Sequence, residues 1–114
     1  MEITLKHFHD LNVIAIEGSI DHANSGSFTE YMESHIDSCR VNTPPLVLDM
    51  SNVNYISSAG MRVLMVAVRR IESQGGKFGV ASIQPVIQEI FAISKFHLVL
   101  PCYKDLEAAR QSML

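Results

Sequence analysis

Residues 3 to 9 alternate, with Ile3, Leu5, His7 and His9 on one side and Thr4, Lys6 and Phe8 on the other. This two-residue repeat predicts a strand. Asp10-Leu11-Asn12 supplies turn chemistry, and Val13 to Ile16 predicts a second strand ending at Gly18. So short a connection makes the pair an antiparallel hairpin. The period then changes. Phe28, Tyr31, Met32, His35, Ile36 and Cys39 fall at i, i+3, i+4, i+7, i+8 and i+11, one face of a helix over 24–40, with Asn24 or Ser25 as its cap. Pro44-Pro45 ends it. Leu46 to Leu48 predicts a short buried strand running into Asp49, followed by a polar loop over Ser51 to Asn54 with Tyr55 and Ile56 tucked beneath.

A second helix is predicted over 58–73, with Met61, Leu64, Val68 and Ile71 inward and Gly75-Gly76 at its end. A strand at 77–81 follows. Pro85 opens a third helix with Val86, Ile87, Ile90 and Phe91 inward. A last strand at 97–100 and a last helix at 105–113, with Leu106, Ala109 and Met113 inward, complete the order ββαβαβαβα. After the hairpin, strand and helix alternate, which predicts parallel strands with right-handed crossovers. The expected fold class is α/β: a small, mixed, mostly parallel sheet with about four helices. Binding sites in such sheets lie at the carboxyl ends of the strands. Two loops reach that edge, Gly18 to Asn24 and Ser51 to Gly60.

Composition narrows the function. The chain has 114 residues, 47% hydrophobic and 18% charged, and a chain of this length buries roughly 65% of the surface its unfolded form exposes. It can therefore hold a core without metals or disulfides. Net charge is −3 and no cluster of four Lys or Arg occurs, which argues against nucleic acid as a partner. No apolar run approaches the ~20 residues of a membrane span, and MEITLKHFHD has no signal-peptide character. A cytoplasmic protein without membrane insertion is expected. Cys39 and Cys102 form no CxxC and read as reduced, buried thiols. His7 and His9 share a strand face, but no Cys, Asp or Glu cluster joins them, so no metal site is expected. His35 reads as a semi-buried side chain and the six methionines as core fillers. No P-loop, nucleophile elbow or dinucleotide fingerprint is present. Neither an enzyme nor a cofactor is expected.

The most informative segment is VLDMSNVNYISSAGMRVL, at 47–64. It resembles the central motif of STAS domains of the anti-sigma factor antagonist family. GSIDHAN at 18–24 is similar to the turn after that family's hairpin, and GGKFGVASIQPVIQEIFAISKF at 75–96 to its Gly-Gly-strand-Pro-helix segment. Three motifs in order, over nearly the whole chain, make the resemblance specific. It implies a single STAS domain over 1–114, acting as an anti-sigma factor antagonist. In that family the unphosphorylated antagonist captures an anti-sigma factor that is also a GHKL-type serine kinase. This frees the sigma factor or another client. Phosphorylation of one serine releases the antagonist, and a serine phosphatase resets it. By position the modified serine is Ser58, two residues before Gly60. Family members often carry Asp where this chain has Ser57, and Ser or Thr where it has Ala59, so Ser57 is the second candidate. Other STAS domains are non-switching subunits of lipid or anion transport complexes, which is the alternative role. No long amphipathic extension suggests assembly, and a monomer or weak dimer is expected.

The residues themselves support a switch. A helix N-terminus tolerates an anion, so a phosphate at Ser58 would burden an interface rather than the fold. Asp21, with His22 beside it, lies in the other loop of the same edge. Asp21 suits a partner contact or, equally, a turn or cap. At 100° per residue, Ser58, Arg62, Met65 and Arg69 share a ridge, with Val66 among the arginines. With Ser57, Ala59 and Gly60 these form the candidate partner-binding set, although the ridge also fits an ordinary solvated face.

Overall fold

The computed structural model describes residues 1–114. Strand β1 (Glu2–Phe8) pairs antiparallel with β2 (Leu11–Ile20). Helix α1 (Ser25–Ser38) leads to β3 (Leu46–Ile56), α2 (Ser58–Ser73) to β4 (Phe78–Ala81), and α3 (Pro85–Ile93) to β5 (Cys102–Tyr103). Helix α4 (Leu106–Met113) closes the chain. The predicted element order is the observed one. The five strands lie in the order β1-β2-β3-β4-β5, and every pair after the hairpin is parallel. A sheet that grows in one direction through right-handed crossovers carries all its crossover helices on one face.

The core follows from this arrangement. Ile14, Ile16, Leu48, Met50 and Val80 pack with Phe28, Met32, Leu64, Ile71, Ile87 and Phe91 in one cluster of 24 buried residues on the crossover face. Leu11, Val13, Val47 and Ala81 point the other way and are covered by Ala109 and Met113 of α4. Leu11 to Ile16 of β2, Leu46 to Met50 of β3 and Phe78 to Ala81 of β4 thus serve two cores by simple alternation.

Five expectations are corrected. The polar segment Ser51 to Asn54 is strand, because β3 runs on to Ile56 beside β2. Register shifts between Ala15 and Glu17, and between Gly18 and Ser19, insert extra residues in β3. The buried side chains Met50, Val53 and Ile56 consequently recur every three residues, a spacing that hides the strand from a two-residue template. Tyr55 is exposed rather than tucked under. The segment 97–100 is no strand: a 3₁₀ turn occupies Phe96–Leu98, and β5 forms five residues later in the chain, at Cys102–Tyr103. Cys39 is buried, but Cys102 is an exposed residue. Its thiol alone is turned inward, donating to the Leu100 carbonyl at 3.2 Å, and burial pushes it up to about 11. On α3, Ile87 and Phe91 are buried while Val86 is exposed.

Candidate functional site

The carboxyl ends of β2 and β3 meet at the pair Ile20–Ile56. The Ser57 N–H donates to the Ile20 carbonyl at 2.8 Å, so α2 begins pinned to the end of β2. The connection between β3 and α2 is the single residue Ser57, far shorter than the expected loop. Ser57 has extended backbone angles and is the N-cap: its hydroxyl accepts from the Gly60 N–H at 3.1 Å. This satisfies one of the free donors of the first turn. Ser58 is the first helical residue. It is exposed, and its hydroxyl bonds to no protein group.

Gly60 makes this close approach possible. A Cβ there would stand 2.7 Å from Ile20 Cγ2 and 2.9 Å from Ile56 Cγ1. Both isoleucines are buried, so any side chain at 60 would lift the first turn of α2 off the sheet edge.

Asp21 to Asn24 form the second loop of the edge. Asp21 and Asn24 bond reciprocally, each backbone N–H donating to the other's side-chain oxygen at 2.9 Å. Asn24 Nδ2 also donates to the Ser19 carbonyl at 2.8 Å. Asn24 thus stands at the N-cap of α1 without capping it through its side chain, because the carboxamide is turned back to hold the loop. Ser25 is the first residue of α1, and its hydroxyl donates to the His22 carbonyl at 3.0 Å. One oxygen of the Asp21 carboxylate is therefore occupied within the fold, and His22 stands exposed beside it.

Between α1 and α2 runs a groove of about 570 Å³. Ser58 and Ala59 lie at its α2 end, with Arg62, Val63 and Val66 farther along the same helix. His22, Ser25, Gly26, Thr29, Glu33 and Ile36 form the facing wall. The predicted ridge divides here. Arg62 and Val66 line the groove, whereas Met65 packs against the main core. Arg69 is exposed outside the groove. Arg70, one residue on, pairs with Glu33 at 2.9 Å and with Asp37, tying α2 to α1. Those bonds raise the hold of the guanidinium on its proton, with the Glu33 hydrogen bond the largest cause.

His22 apart, the facing wall was missed in the sequence. Ser25, Thr29 and Glu33 stand four residues apart on α1, a polar ridge like that of any solvated helix, and nothing local says that it borders α2.

The STAS domain family model matches residues 2–109. The chain belongs to the STAS domain family. This STAS domain is 26% identical over 109 residues to BtrV of Bordetella bronchiseptica, covering 96% of this chain and 91% of that one. It is 22% identical over 105 residues to the anti-sigma F factor antagonist of Paenibacillus polymyxa, covering 92% and 88%. Its fold is similar to the crystal structure of an anti-sigma factor antagonist from Mycobacterium paratuberculosis, with a TM-score of 0.84 at 20% identity over 98% of this chain and 92% of that one. The same fold recurs in a murine Slc26a9 anion transporter, with a TM-score of 0.78 at 14% identity, where it matches 95% of this STAS domain but 18% of the transporter. No helix of this STAS domain is long and apolar enough to cross a membrane.

Proposed function

We propose that this STAS domain is an anti-sigma factor antagonist that works by partner switching, with Ser58 as the switched residue. The unphosphorylated form binds an anti-sigma factor serine kinase and so frees that kinase's client. The surface that docks is the carboxyl edge and the mouth of the groove: Asp21, His22, Ser57 to Gly60, Arg62 and Val66, with Met65 and Arg69 on its flank. In the transfer, the Ser58 oxygen bonds to the γ-phosphorus of ATP, the bond to the β–γ bridging oxygen breaks, ADP leaves, and the hydroxyl proton passes to a base of the kinase. A serine phosphatase hydrolyses the ester and resets the domain.

One observation carries this reading. The two adjacent serines have different jobs: Ser57 is committed to capping α2, while Ser58 presents a free hydroxyl on the rim of the groove. This favours Ser58 over Ser57, whose modification would displace the cap. A phosphoserine carries about −1.5 to −2 charges at neutral pH. At the first helical position the free N–H groups tolerate that charge, so the domain stays folded and the cost falls on the partner. Like-charge contact across an interface costs several kcal/mol, and each 1.4 kcal/mol is tenfold in affinity.

The test is affinity capture from the source cell's lysate with Mg-ATP or Mg-ADP, comparing wild type, Ser58→Ala and Ser58→Asp. Capture of a GHKL-type kinase by wild type and Ser58→Ala, lost with Ser58→Asp, is the expected result. Capture of transport-complex subunits regardless of residue 58 overturns it in favour of a structural STAS subunit. Arg69→Glu is expected to weaken the captured complex about tenfold without changing Tm, measured by titration with the purified kinase; unchanged affinity removes Arg69 from the surface.

A further inference from the structure

We propose that Arg62 is the phosphate-binding residue of the switch: once Ser58 is phosphorylated, the guanidinium pairs with the phosphate across one turn of α2 and closes that end of the groove. The proposal rests on the Ser58 reading above. It adds that the modified state is held by this chain's own cation.

Three observations support it. The first is register. Ser58 and Arg62 are i and i+4 on α2, and both line the same groove. Side chains on a helix lean toward its N-terminus, so the Arg62 stem runs toward the turn that holds Ser58. Cβ atoms at this spacing are about 5–6 Å apart, a gap that an arginine spans.

The second is the counter-ion count. The chain's ion pairs are Lys6–Asp49, Arg70–Glu33, Arg70–Asp37 and Arg110–Glu107. Arg62 belongs to none of them. Glu33 of α1 is the one acidic side chain lining the groove, and it is taken by Arg70, farther along α2 than Arg62. The groove thus holds a cation with no partner, one turn from a hydroxyl with no partner.

The third is chemical fit. The planar guanidinium donates two parallel N–H bonds to a phosphate, a geometry that no neutral serine can use. Before modification Arg62 is free to meet an acidic group on the partner. Afterwards the partner faces new negative charge and has also lost a cation. Ser58→Asp reproduces the charge only in part and offers a shorter, planar acceptor, so it mimics the repulsion better than the pairing.

The experiment is a ³¹P NMR pH titration of protein carrying phosphoserine installed at position 58 by genetic encoding, which needs no kinase. The other titratable groups of the groove are His22 and Glu33. Imidazoles in general titrate in the same range as phosphoserine, so all samples carry His22→Gln. A nearby guanidinium favours the dianion and lowers the second phosphate pKa. Arg62→Gln is expected to raise that pKa by about 0.3, what an exposed i,i+4 ion pair is worth. Arg62→Lys should keep part of the effect and Arg69→Gln should leave it unchanged. Arg62 is exposed, so equal Tm values check that the variants remain folded. Identical titrations with Arg62 and with Gln at that position overturn the pairing. A failure of the Ser58 reading looks different: protein isolated from the source cell carries no phosphate on that serine, whatever the titration shows.

Discussion

Ser57 and Ser58 are adjacent and chemically identical, yet the fold separates them. Ser57→Ala removes the hydroxyl that accepts the Gly60 N–H. Losing an N-cap costs about 1 kcal/mol, which for a domain of this size lowers Tm by about 4 °C. Ser58→Ala removes a hydroxyl with no partner in the fold and should leave Tm within about 1 °C. Calorimetry of the two variants distinguishes the roles, and equal losses would mean that the cap is shared. By residue type alone either serine could cap α2. The choice depends on where the strand ends, and β3 ends at Ile56 only because it pairs with Ile20 of β2. The neighbouring loop teaches the same lesson. Asp21 is a plausible partner contact in sequence, and in the fold it also closes a reciprocal ring with Asn24.

At the scale of elements, α1 and α2 form the groove, and Arg70 holds them together through Glu33 and Asp37. These pairs are well exposed, so each adds little to stability and is screened by salt. A double-mutant cycle of Glu33→Gln and Arg70→Gln is expected to give a small stabilising coupling that shrinks in 1 M NaCl; a salt-independent coupling would contradict this assignment. Helix α4 carries the one carboxylate whose titration stands far from its ordinary range. The Glu107 carboxylate accepts from Arg110 Nε at 3.0 Å, and that hydrogen bonding, aided by the Arg110 charge and by Gln111, holds it down to about 2 against an ordinary 4.5. A depressed carboxylate stabilises the folded state above its unfolded pKa. Its contribution is complete above about pH 5 and is lost as the pH falls from 4.5 toward 2. Following the Glu107 side-chain carbonyl by ¹³C NMR should show a midpoint near the lower value in wild type and near the ordinary one in Arg110→Gln. The amphipathic helices were legible because each keeps one period throughout. Strand β3 was half legible: its bulges change the burial repeat from two to three, so Ser51 to Asn54 looked like a loop.

For the molecule as a whole, the sheet order places α1, α2 and α3 on one face and leaves α4 to cover the other with Ala109 and Met113. If α4 belongs to the cooperative unit, Met113→Ala should cost about 2 kcal/mol. The denaturant midpoint would then fall with no change in slope. An unchanged midpoint would mean that the helix frays independently. The same topology explains the site. Strands added in one direction leave no reversal of order, hence no crevice between diverging strands of the kind that binds dinucleotides. What remains at the carboxyl edge is the paired end of β2 and β3 and the groove between two neighbouring helices. That is a surface suited to another protein's side chains, with the unbonded Ser58 hydroxyl at its rim.

The sequence alone determined the element order, the family and the segment around Ser58, because these depend on local periodicity, turn chemistry and motif spacing. The tertiary structure decided what depends on neighbours distant along the chain. It set the length of β3 through its pairing with β2, the cap at Ser57 through the Ile20 carbonyl, and the need for Gly60 through Ile20 and Ile56. It also sorted the arginines of α2. Arg70 reaches acids 33 and 37 residues away in number order, while Arg62 is left unpaired in the groove beside Ser58. A helical wheel places a charge on a face, but only the packing of α1 against α2 says which charges meet a partner within the chain and which remain for one outside it.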